Sequence, residues 1–556
     1  MSLPDTATMK DSLRRLEIMS TREVSEPIRL PMLVSRVENL EAALNARPGV
    51  MMTALAAFFL SASYALANIR VFWFDEFITI YIAKQGSFGS IWHLLAGGAD
   101  PNPPLSHLLV LASQHLLGNS EAAIRTPFIL AGLVGMLCLF TLLQEYVTPV
   151  YAAAGVFFYM TTHAFDYSYE ARSYALVMCF SMLSLLAWHW STESPHPKAA
   201  LLVMTVSLAL AVSSNYYGIL AFFPVAAGEL TYYFTSGRRR IRWKTWLALM
   251  VAAGSLVPYL GLINASVARF SPYAWNKPNP DFIIGTYNYL LGSVGYLAGL
   301  TTFAALVIYV YERIQLRKHS PRILPPHVFA AVAVLVSYPV LAYVIAVVRA
   351  GMLSERHVLP VIYGVAFAVA VAAYRIFRRS AVASLLFLLC CLSFCTFVIT
   401  DTFFDYQNQR MTLMRLIAAL PKTGTLAVSD PHLVLPLYYY SPAQVASRIV
   451  FPVGLEHVRK YQREDSAEQN LAAASEIYPV PQIAVQDVLS DNADLYIIAP
   501  PWNWLLRLLD DYGHPAEPLN EQPSNHSLRG FFPLSLGDCV IFRERFSNAS
   551  LDSFWP

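Results

Sequence analysis

The stretch Phe72-Trp73-Phe74-Asp75-Glu76-Phe77 places two adjacent carboxylates just beyond the first long apolar run of the chain, about Val50 to Ala67. An ionisable group inside a membrane costs free energy, so an acidic pair at the edge of a span is a candidate for function. The alternative is simple solvation at the membrane rim, where such groups cost little. The pair by itself leaves both interpretations open.

The composition indicates a mainly α-helical, polytopic membrane protein. The 556 residues are 56% hydrophobic and only 14% charged, whereas soluble domains carry about 25% charged residues. The formal net charge is +2, and the basic residues are dispersed between apolar runs. Since nucleic-acid binding needs a clustered basic surface, the pattern excludes that class of partner and favours membrane lipids instead.

Cysteine and histidine give no sign of a metal site or a disulfide framework. Of six cysteines, five lie in apolar runs and Cys539 stands alone in the polar tail. Neither paired CxxC motifs nor an HExxH motif occurs. We therefore predict no cofactor, although the sequence leaves a divalent metal open.

Apolar runs predict about eleven membrane spans, because about 20 apolar residues are needed to cross a bilayer. The runs lie near residues 50–69, 126–143, 150–165, 174–190, 199–213, 216–234, 246–263, 294–311, 327–347, 357–374 and 381–399. Three basic clusters, Arg238 to Lys244, Arg313 to Lys318 and Arg375 to Arg379, favour the cytoplasmic side. Eleven spans with the N-terminus inside place all three clusters in the cytoplasm.

This threading predicts three parts of the chain. Residues 1–49 form a cytoplasmic extension that is helical near Arg36 to Asn45, and residues 50–400 form the transmembrane domain. Residues 401–556 form a small external α/β domain. In that domain we expect strands at Thr425 to Val428, Leu433 to Tyr440, Leu495 to Ala499 and Cys539 to Phe542, and helices at Asn470 to Tyr478 and Trp502 to Tyr512.

The first external loop, residues 71–124, is predicted to hold two amphipathic helices that lie on the membrane. One runs near Phe77 to Leu95 and the other near Pro104 to Leu117. The second is apolar but too short to span a bilayer. If it did span, every later loop would change sides and the basic clusters would face outward, so an interfacial position is favoured.

Polar groups that interrupt the apolar pattern fall on the external side of this topology. An external carboxylate can act as a general base on an acceptor hydroxyl, while arginine binds phosphate through its fork of N–H donors. Glu170 and Arg172 lie in a segment rich in tyrosine, and Arg356 lies in a short turn. The alternatives are a tyrosine belt with a local Glu170–Arg172 pair, and an Arg356 that only snorkels to the interface.

The order of the polar motifs resembles the GT-C glycosyltransferases. It is similar above all to the branch with the protein O-mannosyltransferases, the aminoarabinose transferase of lipid A and the rhizobial galacturonosyltransferases. The resemblance covers about Val50 to Ala373. Its motifs are the acidic pair, Asn102-Pro-Pro-Leu105, Gly118-Asn-Ser-Glu121 to Arg125-Thr-Pro, Tyr167-Ser-Tyr-Glu170-Ala-Arg172-Ser-Tyr174, and Ser354-Glu-Arg356-His357-Val-Leu-Pro360.

This resemblance implies an inverting transferase that moves a sugar from a polyprenyl-phosphate carrier to a lipid, glycan or protein acceptor at the external membrane face. The external side is periplasmic in a bacterium and luminal in a eukaryote, and the family branch favours a bacterial inner membrane with a periplasmic C-terminal domain. Asp75 matches the residue that activates or orients the acceptor, and Glu76 helps to position groups around the donor. Three arginines are candidates for holding the carrier phosphate or for tuning the site: Arg125, Arg172 and Arg356. Asn102, Tyr169, Glu170 and His357 are expected to support them, with Glu170 assisting Arg172.

Two departures from the family pattern limit this transfer of roles. Relatives usually show Arg-Tyr where this chain has Arg356-His357, and the aminoarabinose transferase has a lysine where this chain has Asn102. Two other functions stay open. One is a transporter or flippase of a lipid-linked substrate, which usually shows internal repeats and charges near the midplane. The other is a sensor or scaffold whose tail binds a partner.

Overall fold

The computed structural model describes residues 30–193, 196–236, 241–274, 276–292, 294–316, 324–349, 351–490, 495–519 and 540–544. Most of the predicted cytoplasmic extension, the arginines Arg238 to Arg240 and the end of the cluster Arg313 to Lys318 lie outside these residues. The described chain is mainly helical, as predicted. The division into three domains stays a prediction, and one long helix, Ala381–Ala419, crosses its boundary at residue 400.

The helices up to residue 419 are numbered in chain order. They are α1 Leu30–Asn45, α2 Pro48–Ile69, α3 Phe74–Ala83, α4 Phe88–Ala96, α5 Leu105–Leu116, α6 Glu121–Gln144, α7 Pro149–Met160, α8 His163–Asp166, α9 Tyr174–Glu193, α10 Pro197–Ser214, α11 Phe222–Thr235, α12 Trp243–Gly254, α13 Leu260–Phe270, α14 Asp281–Leu291, α15 Val294–Leu316, α16 Pro326–Val336, α17 Tyr338–Arg349, α18 Val361–Phe377 and α19 Ala381–Ala419. Short 3₁₀ segments include Tyr167–Tyr169, Tyr216–Ala221 and Glu355–Val358.

Several of these helices can cross a membrane, and the protein is a multi-pass membrane protein. Among the described residues, six are long and apolar enough, or seven if α16 and α17, bent by 57° at their junction, count as one span. The six are Pro48–Ile69, Glu121–Gln144, Tyr174–Thr192, Pro197–Ser214, Trp243–Tyr273 and Ala381–Ala419. The shorter apolar helices α7 and α18 match two other predicted runs. The count of eleven spans stays a prediction.

The first predicted amphipathic helix, Phe77 to Leu95, is broken into α3 and α4. Gly86 lies between them with φ +77°, a left-handed conformation that glycine adopts without strain. The hydroxyl of Ser87 then accepts a hydrogen bond from the Ser90 amide and caps the start of α4. The second predicted helix corresponds to α5.

The C-terminal part contains a six-stranded sheet with the order β3-β2-β1-β4-β6-β5. Strands β1 to β4 are parallel, β6 pairs antiparallel with β4, and β5 pairs antiparallel with β6. The strands are β1 Thr425–Val428, β2 Ile449–Val453, β3 Gln482–Ala484, β4 Leu495–Ala499, β5 Glu517–Pro518 and β6 Val540–Glu544. The helices are α20 Pro431–Tyr440, α21 Ala443–Ala446, α22 Leu455–Gln462, α23 Ser466–Ala473, α24 Val485–Ser490 and α25 Trp504–Asp511.

The predicted strand at Leu433 to Tyr440 is wrong, because this apolar run is helix α20. The Asp430 side chain accepts a hydrogen bond from the His432 amide, and Pro431 occupies the first turn. Both features favour a helix start. A short apolar run fits a buried helix as well as a buried strand, and here the capping residues decide.

Helix α20 packs against α3 and so ties the sheet to the acidic pair. The rings of Phe72 and Phe77 contact Tyr439, and the Tyr440 hydroxyl accepts a hydrogen bond from the Phe72 amide over 2.9 Å. The same hydroxyl donates to the Glu121 carboxylate at the start of α6. The sheet is therefore held against helix α3, which carries Asp75.

The left-handed Gly86 gives a test of the break between α3 and α4. An L-residue in this conformation costs about 1 kcal/mol or more, so we expect Gly86→Ala to lower the free energy of unfolding by that amount. Gly89 lies exposed within α4, and a Cβ there meets nothing within 4 Å. Gly89→Ala is the matched control and should be neutral or stabilising, as measured by unfolding in detergent. Equal effects at both sites would contradict the break.

Candidate active site

The two adjacent carboxylates point to different surroundings. They lie in the first turn of α3, where successive side chains are about 100° apart around the helix axis. Glu76 is fully buried, and its carboxylate accepts hydrogen bonds from Arg125 Nε at 2.8 Å and Arg125 Nη2 at 2.6 Å. It also accepts one from the Ala171 amide at 2.9 Å.

Arg125 is equally buried, and all five of its N–H groups have acceptors. Besides Glu76, it donates to the backbone carbonyls of Ala67, Arg70 and Val71. Burial alone would raise the pKa of the Glu76 carboxyl, but the Arg125 guanidinium holds that pKa below its usual value. Arg125 therefore joins α6 to the end of α2 and the start of α3, with no N–H left for a phosphate.

Asp75, in contrast, faces a cavity and pairs with Arg356. Arg356 Nη1 lies 2.6 Å from Asp75 Oδ2, and both side chains are about one-fifth exposed, at 21% and 17%. The guanidinium also lies over the rings of Trp73 and Tyr174, at 5.5 and 5.9 Å from their centroids. The pair joins residues 281 positions apart in the sequence.

Arg172 lines the same cavity and is held by Asp100 rather than by Glu170. Its Nη1 donates to Asp100 Oδ2 at 2.5 Å and to Thr79 Oγ1 at 2.9 Å. It also donates to the Asp75 backbone carbonyl at 3.2 Å. The expected support of Arg172 by the Glu170 carboxylate is therefore replaced by a buried pair with Asp100. His107 Nε2 lies 3.3 Å from the same Asp100 oxygen.

Glu170 lies behind the cavity wall. Its buried carboxylate is 3.6 Å from Arg70 Nη2. Burial, opposed by Arg70 and reinforced by the neighbouring Glu76 and Asp75, raises the pKa of Glu170 to about 7. Tyr169 is also buried, and its hydroxyl donates to Asp166 Oδ1 at 2.6 Å. Neither side chain reaches the cavity that Asp75 lines.

Asn102 and His357 complete the polar wall. Asn102 donates to Asp100 Oδ1 at 2.7 Å and accepts from Asn215 Nδ2 at 2.8 Å. The His357 ring stacks on Tyr217 with centroids 4.5 Å apart, and its Nδ1 accepts from the Ser354 amide. Burial and the neighbouring positive charge of Arg356 lower the pKa of His357 to about 3, so the ring is neutral near pH 7.

The cavity has a volume of about 300 Å³ and two kinds of wall. One wall is polar and includes five of the predicted residues: Asp75, Asn102, Arg172, Arg356 and His357. The other is apolar and is built from Leu256, Leu260, Ile263 and Val267 at and before helix α13. The other four predicted residues, Glu76, Arg125, Tyr169 and Glu170, lie behind the polar wall. The roles assigned from the sequence stay predictions.

Sequence reasoning missed three groups in this site. Asp100 is one of several external polar residues in the sequence, and the sequence spacing does not show that its partner is Arg172. Asp100 is buried behind Arg172, whereas Asn215 and Arg349 line the cavity, from the ends of α10 and α17. Among the residues that the structure describes, no group of three His, Cys, Asp or Glu side chains is arranged to hold a metal ion.

Comparison with known proteins identifies the fold. Residues 101–262 match the family model of the dolichyl-phosphate-mannose-protein mannosyltransferases, and curated protein sequences give no match. ArnT from Cupriavidus metallidurans in the apo state superposes with a TM-score of 0.55 at 11% identity, over 90% of this chain and 98% of ArnT. The same protein bound to undecaprenyl phosphate gives a TM-score of 0.54 at 10% identity, over 88% and 97%.

The chain has the fold of the GT-C glycosyltransferases. The family-model match and this fold together support a GT-C superfamily glycosyltransferase, and the predicted resemblance is confirmed at that level. The matched segment contains Asn102, Arg125 and Arg172 but neither Asp75 nor Arg356. The family match therefore says nothing about Asp75 and Arg356, and any role for these two residues depends on the geometry of the cavity.

Mutation of the buried Glu76–Arg125 pair tests whether this pair stabilises the fold. Removing one partner of such a pair leaves an uncompensated buried charge and costs about 3–5 kcal/mol. We expect Arg125→Ala to lower the free energy of unfolding in detergent by that amount. Arg36→Ala, at an exposed arginine of α1, is the control and should stay within about 0.5 kcal/mol of the wild type. A stable Arg125→Ala protein would contradict this interpretation.

Proposed function

We propose that the protein is an inverting glycosyltransferase that moves a sugar from a polyprenyl-phosphate carrier to an acceptor hydroxyl. The main support is one cavity, in which the Asp75 carboxylate lies 2.6 Å from Arg356 and beside Arg172. A base for the acceptor and cations for a phosphate are thus present in one place. The fold supports the same class of reaction.

The two arginines suit the chemistry of the leaving group. When the bond between the sugar and the carrier phosphate breaks, negative charge develops on the phosphate, and fixed cations stabilise it. Asp75 accepts the proton of the attacking hydroxyl. An incoming phosphate competes with Asp75 for the Arg356 guanidinium. Donor binding therefore releases the carboxylate that the acceptor needs.

The apolar wall suits a lipid-linked donor. Leu260, Ile263 and Val267 lie on α13, part of a candidate span whose side chains are mostly exposed on the protein surface. A prenyl chain can pack on this face while its phosphate reaches the arginines. ArnT, which shares the fold, has been solved with bound undecaprenyl phosphate, which supports a carrier of this type.

We also propose the predicted membrane topology, with the N-terminus in the cytoplasm. Eleven spans, with the shorter and bent apolar helices counted as crossings, put the Asp75 cavity and the sheet outside. In a bacterial inner membrane this side is the periplasm. In this scheme Glu76 and Arg125 position the start of α3, and Asp75 does the proton transfer.

The first test removes the base. Asp75→Asn keeps the shape of the side chain but cannot accept a proton, so we expect release of polyprenyl phosphate to fall at least about 100-fold. The assay follows release from a labelled polyprenyl-phosphate sugar by the purified full-length protein. The control is Asp281→Asn, at an exposed aspartate. Wild-type turnover by Asp75→Asn would contradict the assignment.

The same assay separates a transferase from a transporter. A transporter moves the lipid-linked sugar across a vesicle membrane and leaves the bond between sugar and phosphate intact. Translocation of the labelled donor by the wild-type protein in proteoliposomes, without release of polyprenyl phosphate in the presence of acceptor lipid or glycan extracts, would overturn the proposal.

The second test concerns the carrier phosphate. Arg356→Gln removes a charge that lies in the cavity, and hydrogen bonds to charged groups contribute about 1.5–3 kcal/mol. We expect the affinity for polyprenyl phosphate to fall at least about tenfold, as measured by titration of the purified protein in detergent. Arg415→Gln, on the exposed side of α19, should bind as the wild type does. Unchanged affinity in Arg356→Gln would place the phosphate elsewhere.

A further inference from the structure

A second pocket lies at the edge of the C-terminal sheet, where the strand order reverses. The chain runs from β1 to β2 and β3 on one side, and then crosses to β4 on the other side of β1. The segments after β1 and β4 therefore diverge and leave a crevice at the carboxyl ends of these parallel strands. Ligands of open α/β sheets bind at this position.

The pocket at this crevice is small, and its charged residues are mainly acidic. Its volume is about 160 Å³. Asp430 and His432 follow β1, Trp502 and Asn503 follow β4, and Glu464 and Glu468 come from the end of α22 and the start of α23. The lining includes three carboxylates and neither lysine nor arginine among the described residues.

The Asp430 side chain indicates that the pocket binds a ligand. It is 4% exposed, and its Oδ1 accepts hydrogen bonds from the amide and Nδ1 of His432, at 2.9 and 3.3 Å. Its Oδ2 is shielded from solvent and accepts no hydrogen bond from the described residues. A buried acceptor without a donor costs free energy, and a donor in the pocket would remove that cost.

The pocket adjoins the cavity that contains Asp75. Ser466, the first residue of α23, lines both spaces. The His432 ring packs against Phe74, the residue before Asp75, with centroids 5.1 Å apart. A molecule that occupies the pocket can therefore extend toward the carboxylate that we propose as the base.

We propose that this pocket binds a carbohydrate ring at the headgroup of the acceptor, through its hydroxyl groups and the indole of Trp502. The inference rests on the proposed transferase function and names the class of its acceptor. The carboxylates are suited to sugar hydroxyls, since ionised carboxylates accept hydrogen bonds and a hydroxyl can donate them. Trp502 is 48% exposed at the pocket mouth, where an aromatic face can pack on the C–H groups of a ring.

Charge separates this site from the carrier site. The cavity with Arg172 and Arg356 attracts phosphate. The pocket has three carboxylates against the single imidazole of His432, so its net charge is negative and it repels anions. Burial raises the pKa of Glu468 to about 7. Near neutral pH this carboxyl group is therefore partly protonated and can also donate a hydrogen bond. We therefore expect neutral and amine-bearing sugars to bind, and uronic acids to be rejected.

The experiment measures binding of monosaccharides to the full-length protein in detergent, by saturation-transfer NMR. The probes are glucosamine, glucose and glucuronate. We expect glucosamine to bind most tightly, glucose more weakly and glucuronate not at all. The double variant Glu464→Gln, Trp502→Ala changes two exposed side chains, so it should fold normally and bind glucosamine about tenfold more weakly. Trp243→Ala is the control, because Trp243 is exposed and is not part of the pocket lining.

The outcomes distinguish this inference from the proposed function. Asp75→Asn should bind glucosamine as the wild type does, because the pocket does not use that carboxylate. Equal binding of glucosamine by the wild type and the double variant, binding of glucuronate as tight as glucosamine, or no sugar binding would overturn the acceptor site. Release of polyprenyl phosphate by the wild type in the same preparation reports on the transferase independently.

Discussion

The ion pair between Glu76 and Arg125 is the constraint on which the active-site geometry depends. Two charges removed from water are tolerated only when their hydrogen-bonding groups are satisfied, and here three backbone carbonyls and two backbone amides complete the set. These contacts fix the end of α2, the start of α3 and the 3₁₀ segment before α9 relative to α6. With Glu76 held inside, the helix geometry turns Asp75 toward the cavity.

The rest of the cavity follows the same design, in which buried polar contacts join distant parts of the chain. Arg172 is held by Asp100, and Asn102 is held by Asn215. These links bring together the loop before α5, the segment before α9 and the end of α10. Arg356 arrives from the turn before α18 and contacts Asp75. The guanidinium groups are therefore held in place before any ligand binds, which is what the proposed stabilisation of a developing charge requires.

The sequence predicted the elements of this site better than its connections. Asp75 and Arg356 were predicted to share one membrane face, and the structure brings them into contact. The five donors of Arg125 are fixed by backbone carbonyls and Glu76, and no motif reveals such contacts. Asp100 was not selected as a site residue because its role is to hold Arg172, which lies 72 positions away in the sequence. The helix at Pro431–Tyr440 was misread as a strand because the apolar run outweighed the capping signals of Asp430 and Pro431.

We propose that the Arg356 guanidinium holds the Asp75 carboxylate until the carrier phosphate binds. A cryo-electron microscopy structure of the protein with bound polyprenyl phosphate tests it most directly. We predict a phosphate within hydrogen-bond distance of Arg356 and Arg172, an Asp75 carboxylate separated from Arg356, and a prenyl chain along the α13 face. A phosphate bound elsewhere, with the contact between Asp75 and Arg356 unchanged, would contradict it.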